Sequence, residues 1–301
     1  MEIIVHADDF GITLEQSKLI LARSSKCGGE GALNSTSALV TSPHFSECAA
    51  FAKPFVDAGL IKMGLHLNLV EGPALSSAED APLLVGANGM FRQSFARMLL
   101  CSSGPKRTSL TQQVRQEARA QIQAFLKAFP QMRSAFRVDS HQHFHLIPAV
   151  FDGLMAAIQD EGCTLEYLRI PAEPLAPFLR ADAVRKHVSV VNIVKNQLLN
   201  ALWKRCAPSY PDCLPKPAAF YGLALSGCMQ HIADERFLQG IIREAEQEER
   251  GIELLFHPGG VPSVDECLAP HLRGFCEFYL SENRQAEADI LPKLPLCAIT
   301  V

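Results

Sequence analysis

The 301-residue chain lacks the features of nucleic-acid-binding, membrane-spanning and disulfide-rich proteins. Its 28 Lys and Arg residues are outnumbered by 32 Asp and Glu, so no basic field is available to attract phosphate backbones. No apolar run is long enough to span a bilayer, and the amino terminus has neither the basic nor the apolar region of a signal peptide. The ten cysteines include no C-x-x-C pair. Together these absences favour free, buried thiols and a cytoplasmic protein.

The chain also lacks a nucleotide fingerprint. Its one glycine-rich segment, over 28–31, follows a helical pattern rather than a strand, so it predicts a loop and not a phosphate-binding turn.

What the chain has is an alternation of short apolar segments with helical patterns, which predicts a parallel sheet. We predict strands over 3–7, 37–41, 62–70, 136–145, 165–170, 220–225, 252–256 and 296–301. The spacing of apolar residues predicts helices over 108–129 and 147–160. The pattern Thr13-Leu14-Glu15-Gln16 resembles a capping box that opens a helix.

Polar residues cluster at the predicted carboxyl ends of several strands, where parallel α/β barrels build active sites. We therefore expect residues 1–301 to form a single catalytic domain, a distorted, TIM-barrel-like (β/α) barrel of about seven parallel strands. Residues 173–217 interrupt the alternation with prolines and a basic cluster. They predict a helical insertion or lid within the barrel.

The most informative segment is 139–145, in which Asp139, His141, His143 and His145 occupy alternate positions. On a strand these four side chains would share one face. Burying so many unpaired titratable groups is costly, and imidazole is a common metal ligand. The pattern therefore predicts a metal site, although strand parity does not show which of the three histidines binds the ion.

Several ordered motifs together resemble the YdjC-like carbohydrate deacetylases, a family that includes chitooligosaccharide and hopanoid-associated deacetylases. They are HADDFG at 6–11, GLHLNLVEG at 64–72, Glu117 and Gln121, DSHQHFH at 139–145, RIP at 169–171 and HPG at 257–259. The resemblance covers about residues 3–260. No single motif is specific, but the ordered set is.

The resemblance implies one divalent metal ion held by Asp9, His66 and His141, with Asp8 as the general base. Three protein ligands would leave open positions for water and substrate. We predict that His257 is the general acid. The RIP segment at 169–171 also looks like a motif of the related polysaccharide deacetylases, and this resemblance implies that Arg169 orients the catalytic aspartate.

Asp139, His143 and His145 remain as residues that support the ligands or as alternative ligands. Two imidazoles and a carboxylate favour zinc or another transition ion, whereas the resemblance implies magnesium, so both ions stay open.

The predicted activity is removal of an acetyl group from an N-acetylated sugar by metal-activated water. Because only 7% of residues are aromatic, a short oligosaccharide or glycoconjugate is favoured over a long polysaccharide. One alternative is a metal-dependent phosphoesterase or cyclic-amide hydrolase on the same barrel, which would hold two or three metals. Another is a sugar- or metal-binding protein without activity. Barrels of this kind often form homodimers, and the sequence leaves the oligomeric state open.

Overall fold

The computed structural model describes residues 1–295, which contain seven strands in one parallel sheet. The strands are β1 (Ile3–Phe10), β2 (Ser35–Ala38), β3 (Lys62–Leu67), β4 (Phe136–Ser140), β5 (Leu165–Leu168), β6 (Ala219–Tyr221) and β7 (Ile252–Phe256). Their order is β5-β4-β3-β2-β1-β7-β6, which places β2 at the centre, with β1 beside it, and β5 and β6 at the edges. The sheet curls into a half-barrel. The predicted distorted α/β barrel is therefore confirmed, with β5 and β6 left unpaired with each other in the described residues.

Helices connect and surround the strands. They are α1 (Leu14–Leu21), α2 (Phe45–Asp57), α3 (Phe95–Ser103), α4 (Arg107–Ala128), α5 (Pro148–Asp160), α6 (Ala176–Arg180), α7 (Asp182–Arg185), α8 (Val190–Cys206), α9 (Glu235–Gln247), α10 (Arg273–Tyr279) and α11 (Glu282–Ile290). Helices α4 and α5 match their predicted bounds to within one residue. They pack closely at Gly153, where a Cβ atom would lie only 2.7 Å from the Thr111 carbonyl oxygen. Within residues 1–295, no helix is both long and apolar enough to cross a membrane.

The strand predictions hold except at their ends. β7 has the predicted bounds, whereas β1 continues three residues beyond the predicted 3–7, through the two aspartates. The predicted strand over 296–301 lies outside the described residues. The nine cysteines in the described part of the chain are all free, as predicted, but only four of them are buried and Cys213 is exposed, so the predicted burial is only partly correct.

The prediction that the histidines continue β4 is wrong. The strand ends at Ser140, and residues 141–146 form a 3-10 turn in which Gln142 and His143 have φ angles of 52° and 60°. The Ser140 hydroxyl holds the turn by accepting a hydrogen bond from the His145 backbone at 3.0 Å. His141, His143 and His145 therefore do not share one strand face with Asp139.

Residues 173–217 contain α6, α7 and α8 and form the connection from β5 to β6. The buried Glu173 carboxylate ties this segment to the loop after β6, because it accepts hydrogen bonds from the backbone N–H groups of Gly222, Leu223 and Ala224 at 2.7, 3.0 and 2.7 Å. Asn196 of α8 donates to the same carboxylate at 3.0 Å. Burial raises the pKa of Glu173 to about 7, and four hydrogen bonds to this one buried carboxyl group anchor the segment.

Candidate metal centre and active site

The backbone is irregular at the two aspartates near the end of β1, and both carboxylates lie close to His66 Nε2, at 3.9 Å for Asp8 and 3.5 Å for Asp9. Asp9 has a φ angle of 65°, and the pairing of β1 with β2 shifts register between Ala7 and Phe10. The Gln16 side chain holds this backbone by donating to the Asp9 carbonyl at 2.9 Å. Thr13 caps α1 as predicted, because its hydroxyl accepts a hydrogen bond from the Gln16 backbone N–H. The Gln16 side chain bonds to Asp9, however, and so does not form the second half of the predicted capping box. The strained backbone at Asp9 allows the two neighbouring carboxylates to have different partners.

Asp9, His66 and His141 bring three potential metal-ligand atoms together from β1, β3 and the turn after β4. Asp9 Oδ1 lies 3.5 Å from His66 Nε2 and 3.2 Å from His141 Nδ1, and the two ring nitrogens are 3.3 Å apart. All three residues are buried. The group can hold a metal ion, and its members are the three residues implied by the resemblance.

Each histidine has a carboxylate behind its other ring nitrogen. His66 Nδ1 is hydrogen-bonded to Asp139, and His141 Nε2 lies 2.9 Å from Glu71 Oε1. The Tyr279 hydroxyl donates a hydrogen bond to that Glu71 oxygen. Such partners favour the tautomer that directs a lone pair at the metal. Asp139, one of the undecided residues, thus lies behind a ligand.

The two oxygens of Asp9 have different surroundings. Oδ2 lies 2.6 Å from Nη2 of the buried Arg284, whereas the buried Oδ1 has no hydrogen-bond partner in the described residues. A buried carboxylate oxygen without a partner is costly. Because this oxygen faces both imidazoles, the residues present fit a divalent cation.

The charges around Asp9, His66 and His141 also favour the binding of a cation. Burial alone would lower the pKa of His66, but Asp8 and Asp139 outweigh it and raise the pKa to about 10. Asp9 and Glu71 similarly overcome burial at His141 and raise its pKa to about 9. Both imidazoles therefore take up protons when no ion balances the carboxylates, and a metal would have to displace those protons.

A second cluster of possible ligands lies beside the first, but a positive charge already balances it. His6 Nε2 is 3.3 Å from both Asp8 Oδ1 and Asp139 Oδ2. The same two oxygens lie 2.8 and 3.1 Å from the guanidinium of Arg169. Since Arg169 keeps its charge, a cation placed here would be repelled. The geometry therefore favours one ion over two.

Arg169 also explains how Asp8 stays ionised in the interior. Burial would raise the pKa of Asp8, but the charges of Arg169 and His66 hold it well below its usual range. The guanidinium is fully buried, and Glu253 on β7 fixes it through contacts of 2.8 Å from Nε and Nη2. Asp8 is therefore ionised at neutral pH and lies beside the metal group.

His257 lies at the end of β7 and is the most exposed group around Asp8. Its Nε2 is 3.9 Å from Asp8 Oδ2, and its side chain is 13% exposed. Burial lowers the pKa of His257 to about 4, so the imidazole is neutral at pH 7. Glu287 accepts a hydrogen bond from the His257 backbone at 2.6 Å and lies 3.8 Å from Nδ1. The ring is therefore placed to exchange a proton with Asp8 through a small movement.

The other two histidines of the turn are separate from the metal group. His145 Nδ1 lies 2.6 Å from the Ser140 hydroxyl, and Nε2 lies 2.8 Å from the Arg169 carbonyl. His143 packs edge-on against Phe220, with ring centroids 5.7 Å apart, and its buried Nδ1 has no partner in the described chain. His145 thus supports the backbone at Arg169, while His143 contacts none of the three candidate ligands.

Comparison with known proteins identifies the family of this chain. The family model described as YdjC-like protein matches residues 2–294. The chain belongs to the YdjC-like family. This finding confirms the resemblance drawn from the sequence motifs.

Relatives of this YdjC-like chain include a carbohydrate deacetylase of Mus musculus, 28% identical over 277 residues, which are 89% of this chain and 81% of that protein. A chitooligosaccharide deacetylase of Serratia marcescens is 25% identical over 85% of this chain and 81% of its own length. A carbohydrate deacetylase of Danio rerio is 29% identical, but that match spans 58% of this chain and about half (51%) of the relative.

A solved structure of similar fold is that of a candidate cellobiose-phosphate cleavage protein of Enterococcus faecalis V583. It has a TM-score of 0.61 and 19% sequence identity, and it covers 99% of this chain and 93% of its own. The likeness supports the fold assigned to the YdjC-like chain.

Sequence reasoning missed four residues that surround the candidate ligands of this family member. They are Glu71, Tyr279, Arg284 and Glu287. Glu71 lies within the recognised 64–72 motif, so its position in that motif was an available signal. The other three come from α10 and α11, beyond the last recognised motif, where a charged helix pattern usually indicates a solvent-exposed face.

Glu117 and Gln121 on α4, which belong to the recognised motifs, bind the backbone of the segment that carries Glu71. Gln121 accepts from the Asn68 backbone N–H at 3.0 Å and donates to its carbonyl. Glu117 accepts from the backbone of Leu75 and Ser76 at 3.1 and 2.7 Å. These bonds hold both ends of the segment that carries Glu71 toward the metal group.

Proposed function

We propose that this protein is a metal-dependent hydrolase that removes the acetyl group from an N-acetylated sugar, such as a chitooligosaccharide or a related glycoconjugate. The observation that carries the proposal is an ionised, buried Asp8 beside the cluster of Asp9, His66 and His141. In that cluster Asp9 Oδ1 faces two imidazoles and has no hydrogen-bond partner among the described residues. The deacetylases among the relatives of this chain supply the reaction class.

Asp9, His66 and His141 would hold a single divalent ion. When bound, such an ion polarises an acyl carbonyl and lowers the pKa of coordinated water. Two imidazoles and one carboxylate favour zinc or another transition ion over magnesium, which prefers oxygen ligands. Arg284 keeps Asp9 Oδ2 occupied, which leaves Oδ1 as the donor.

Asp8 is proposed to be the general base that takes a proton from the attacking water. Its depressed pKa keeps it ionised at neutral pH, and the buried Arg169 fixes its orientation with contacts of 2.8 and 3.0 Å. A carboxylate held in this way needs no rearrangement before the reaction, which favours catalysis.

His257 is proposed to be the general acid, but it enters the reaction neutral. Its pKa of about 4 means that it must gain its proton during the cycle. The proton lost by water can pass from Asp8 to Nε2, 3.9 Å away, and then to the amine nitrogen as the carbon–nitrogen bond breaks. No proton from outside the site is needed for this sequence.

The phosphoesterase or cyclic-amide hydrolase alternative would use more metal ions. The only support for a second ion is the cluster of His6, Asp8 and Asp139, among the described residues, and Arg169 already balances it. A metal-to-protein ratio near two would favour this alternative. Homodimer formation and a cytoplasmic location stay predictions from the sequence.

The test is acetate release from N,N′-diacetylchitobiose by protein stripped of metal and reloaded separately with magnesium, zinc, cobalt or manganese. We expect release to return with at least one ion, at a ratio of one ion per chain. Asp8→Asn should bind the ion and release no acetate, whereas the exposed Asp57→Asn should behave like the unmodified protein. No release with any ion would contradict the proposal, and full activity of Asp8→Asn would exclude the proposed base.

A further inference from the structure

The first turns of α8 reverse the usual amphipathic arrangement of a surface helix. Asn192 and Asn196 are buried, whereas Val190, Val191 and Val194 point outward and are 75%, 62% and 62% exposed. Leucine and valine side chains usually cover the core face of such a helix. Here the apolar face is left in contact with water.

The buried asparagines fix this orientation. Asn192 donates to the carbonyl oxygens of Ala224 and Ser226 at 3.2 and 3.1 Å, in the loop after β6. Asn196 donates to the backbone carbonyl and the carboxylate of Glu173. Turning the valines inward would break these buried bonds, so the outward apolar face is a stable property of the fold. The same contacts place it near the carboxyl ends of the strands.

Basic side chains surround the apolar face. Lys186 precedes it, Lys195 lies within it, and Lys204 and Arg205 end the helix, all of them exposed. None of these four forms an ion pair with a carboxylate in residues 1–295. Residues 173–217 contain seven Lys and Arg against three Asp and Glu, although the whole chain is acidic. The segment that carries the apolar face is therefore basic.

We propose that this surface binds the headgroup region of an anionic lipid bilayer. We call it the α8 patch and define it by Val190, Val191, Val194, Lys195 and Leu198. Its apolar side chains would enter the boundary between headgroups and acyl chains, while Lys195 and the basic ends of α8 would contact lipid phosphates. Such binding is peripheral and needs no membrane-spanning helix.

A second copy of the chain fits the α8 patch less well. From Val190 to Leu198 the patch extends about 12 Å along the helix, whereas a standard protein interface buries about 800 Å² on each partner. Pairing two α8 patches would also bring the Lys195 side chains of both copies together, and like charges across an interface are unfavourable. An anionic bilayer can bury the apolar side chains and bind the basic side chains at the same time.

Co-sedimentation of the full chain with vesicles tests this inference. We expect binding to phosphatidylcholine vesicles that contain phosphatidylglycerol, weak binding to phosphatidylcholine alone, and loss of binding as salt is raised. Because a lysine near an anionic surface contributes about a fivefold gain in affinity, Lys195→Glu with Lys204→Glu should weaken binding at least tenfold. Val190→Ser with Val194→Ser should also weaken it at least tenfold.

Matched controls are Leu100→Ser, at a leucine that is 73% exposed on α3, and Lys127→Glu, at an exposed lysine on α4. Both should bind vesicles like the unmodified protein, and thermal unfolding checks that every variant is folded. Equal binding to both kinds of vesicle, or unchanged binding of the α8 variants, would overturn the inference. The inference would also be overturned if the protein did not bind vesicles but formed a dimer, and if Val190→Ser with Val194→Ser converted that dimer to a monomer.

Discussion

Replacing Arg284 with methionine removes a positive charge from the candidate metal centre while keeping a long side chain in its place. The guanidinium is 2% exposed and lies 2.6 Å from Asp9 Oδ2, in a pair shielded from water on both sides. Removing one partner of a buried ion pair costs about 3–5 kcal/mol, because the other charge is left uncompensated. We therefore expect Arg284→Met to lower the free energy of unfolding of the metal-free protein by about that amount.

The loss should be smaller when metal is bound, since the ion then balances the charge of Asp9. What remains is the loss of the hydrogen bonds from Arg284 to the Phe278 and Gly259 carbonyls, both at 3.2 Å, which contribute about 1–2 kcal/mol together. Linkage then requires that the folded variant bind metal more tightly than the unmodified protein, although it is less stable.

Urea unfolding with and without saturating metal measures both losses, and calorimetric titration measures the affinity. Arg284→Lys should recover part of the stability because it restores the charge. Arg115→Met, which breaks the exposed pair with Asp160, is the control and should barely change unfolding. Equal losses in the two states, or weaker metal binding by Arg284→Met, would refute the reasoning and leave Arg284 with a purely steric role.

Four further predictions concern the histidines and the segment 173–217. Metal binding near pH 8 should release about two protons, because the pKa values of His66 and His141 are raised to about 10 and about 9, and calorimetry in buffers of different ionisation enthalpy counts them. In the metal-free protein these raised pKa values stabilise the fold below pH 6.5, so denaturant stability should fall as the pH rises toward 10. His143→Ala should keep one ion per chain by elemental analysis, whereas His145→Phe should keep the ion but lose about 1–3 kcal/mol of stability in urea, from its two buried hydrogen bonds. Glu173→Ala should speed proteolytic cleavage within 173–217 and leave the metal content unchanged, because Glu173 anchors that segment and not the ligands.

Local patterns predicted most of the fold correctly. Helix α4 and helix α5 were bounded by prolines and regular apolar spacing, and β7 by a short apolar run before His257. Such signals act over a few neighbouring residues and can be recognised without knowledge of the tertiary packing.

The histidine segment shows where this reasoning fails. A period of two indicates a strand only if the backbone stays extended, and Gln142 and His143 instead adopt positive φ angles that nothing at these positions signals, since neither is glycine. The resemblance still selected His141, which is the histidine that meets Asp9 and His66. Strand parity alone gave no basis for that choice.

The surroundings of the site were the least predictable part. Arg284 and Glu287 lie more than 270 residues from Asp9 along the chain, on a short helix rich in charged residues. Their burial against Asp9 and His257 follows from where α11 packs in the tertiary structure, and no local pattern distinguishes them from solvent-exposed charges.

The most direct test of the central claim is to incubate the metal-loaded protein with N,N′-diacetylchitobiose in ¹⁸O-labelled water and to analyse both products by mass spectrometry. Hydrolysis by water at the Asp8 site predicts acetate that carries one ¹⁸O atom, a sugar product with one free amine, and neither product from Asp8→Asn. Intact substrate together with full metal loading, or acetate without the label, would contradict the account.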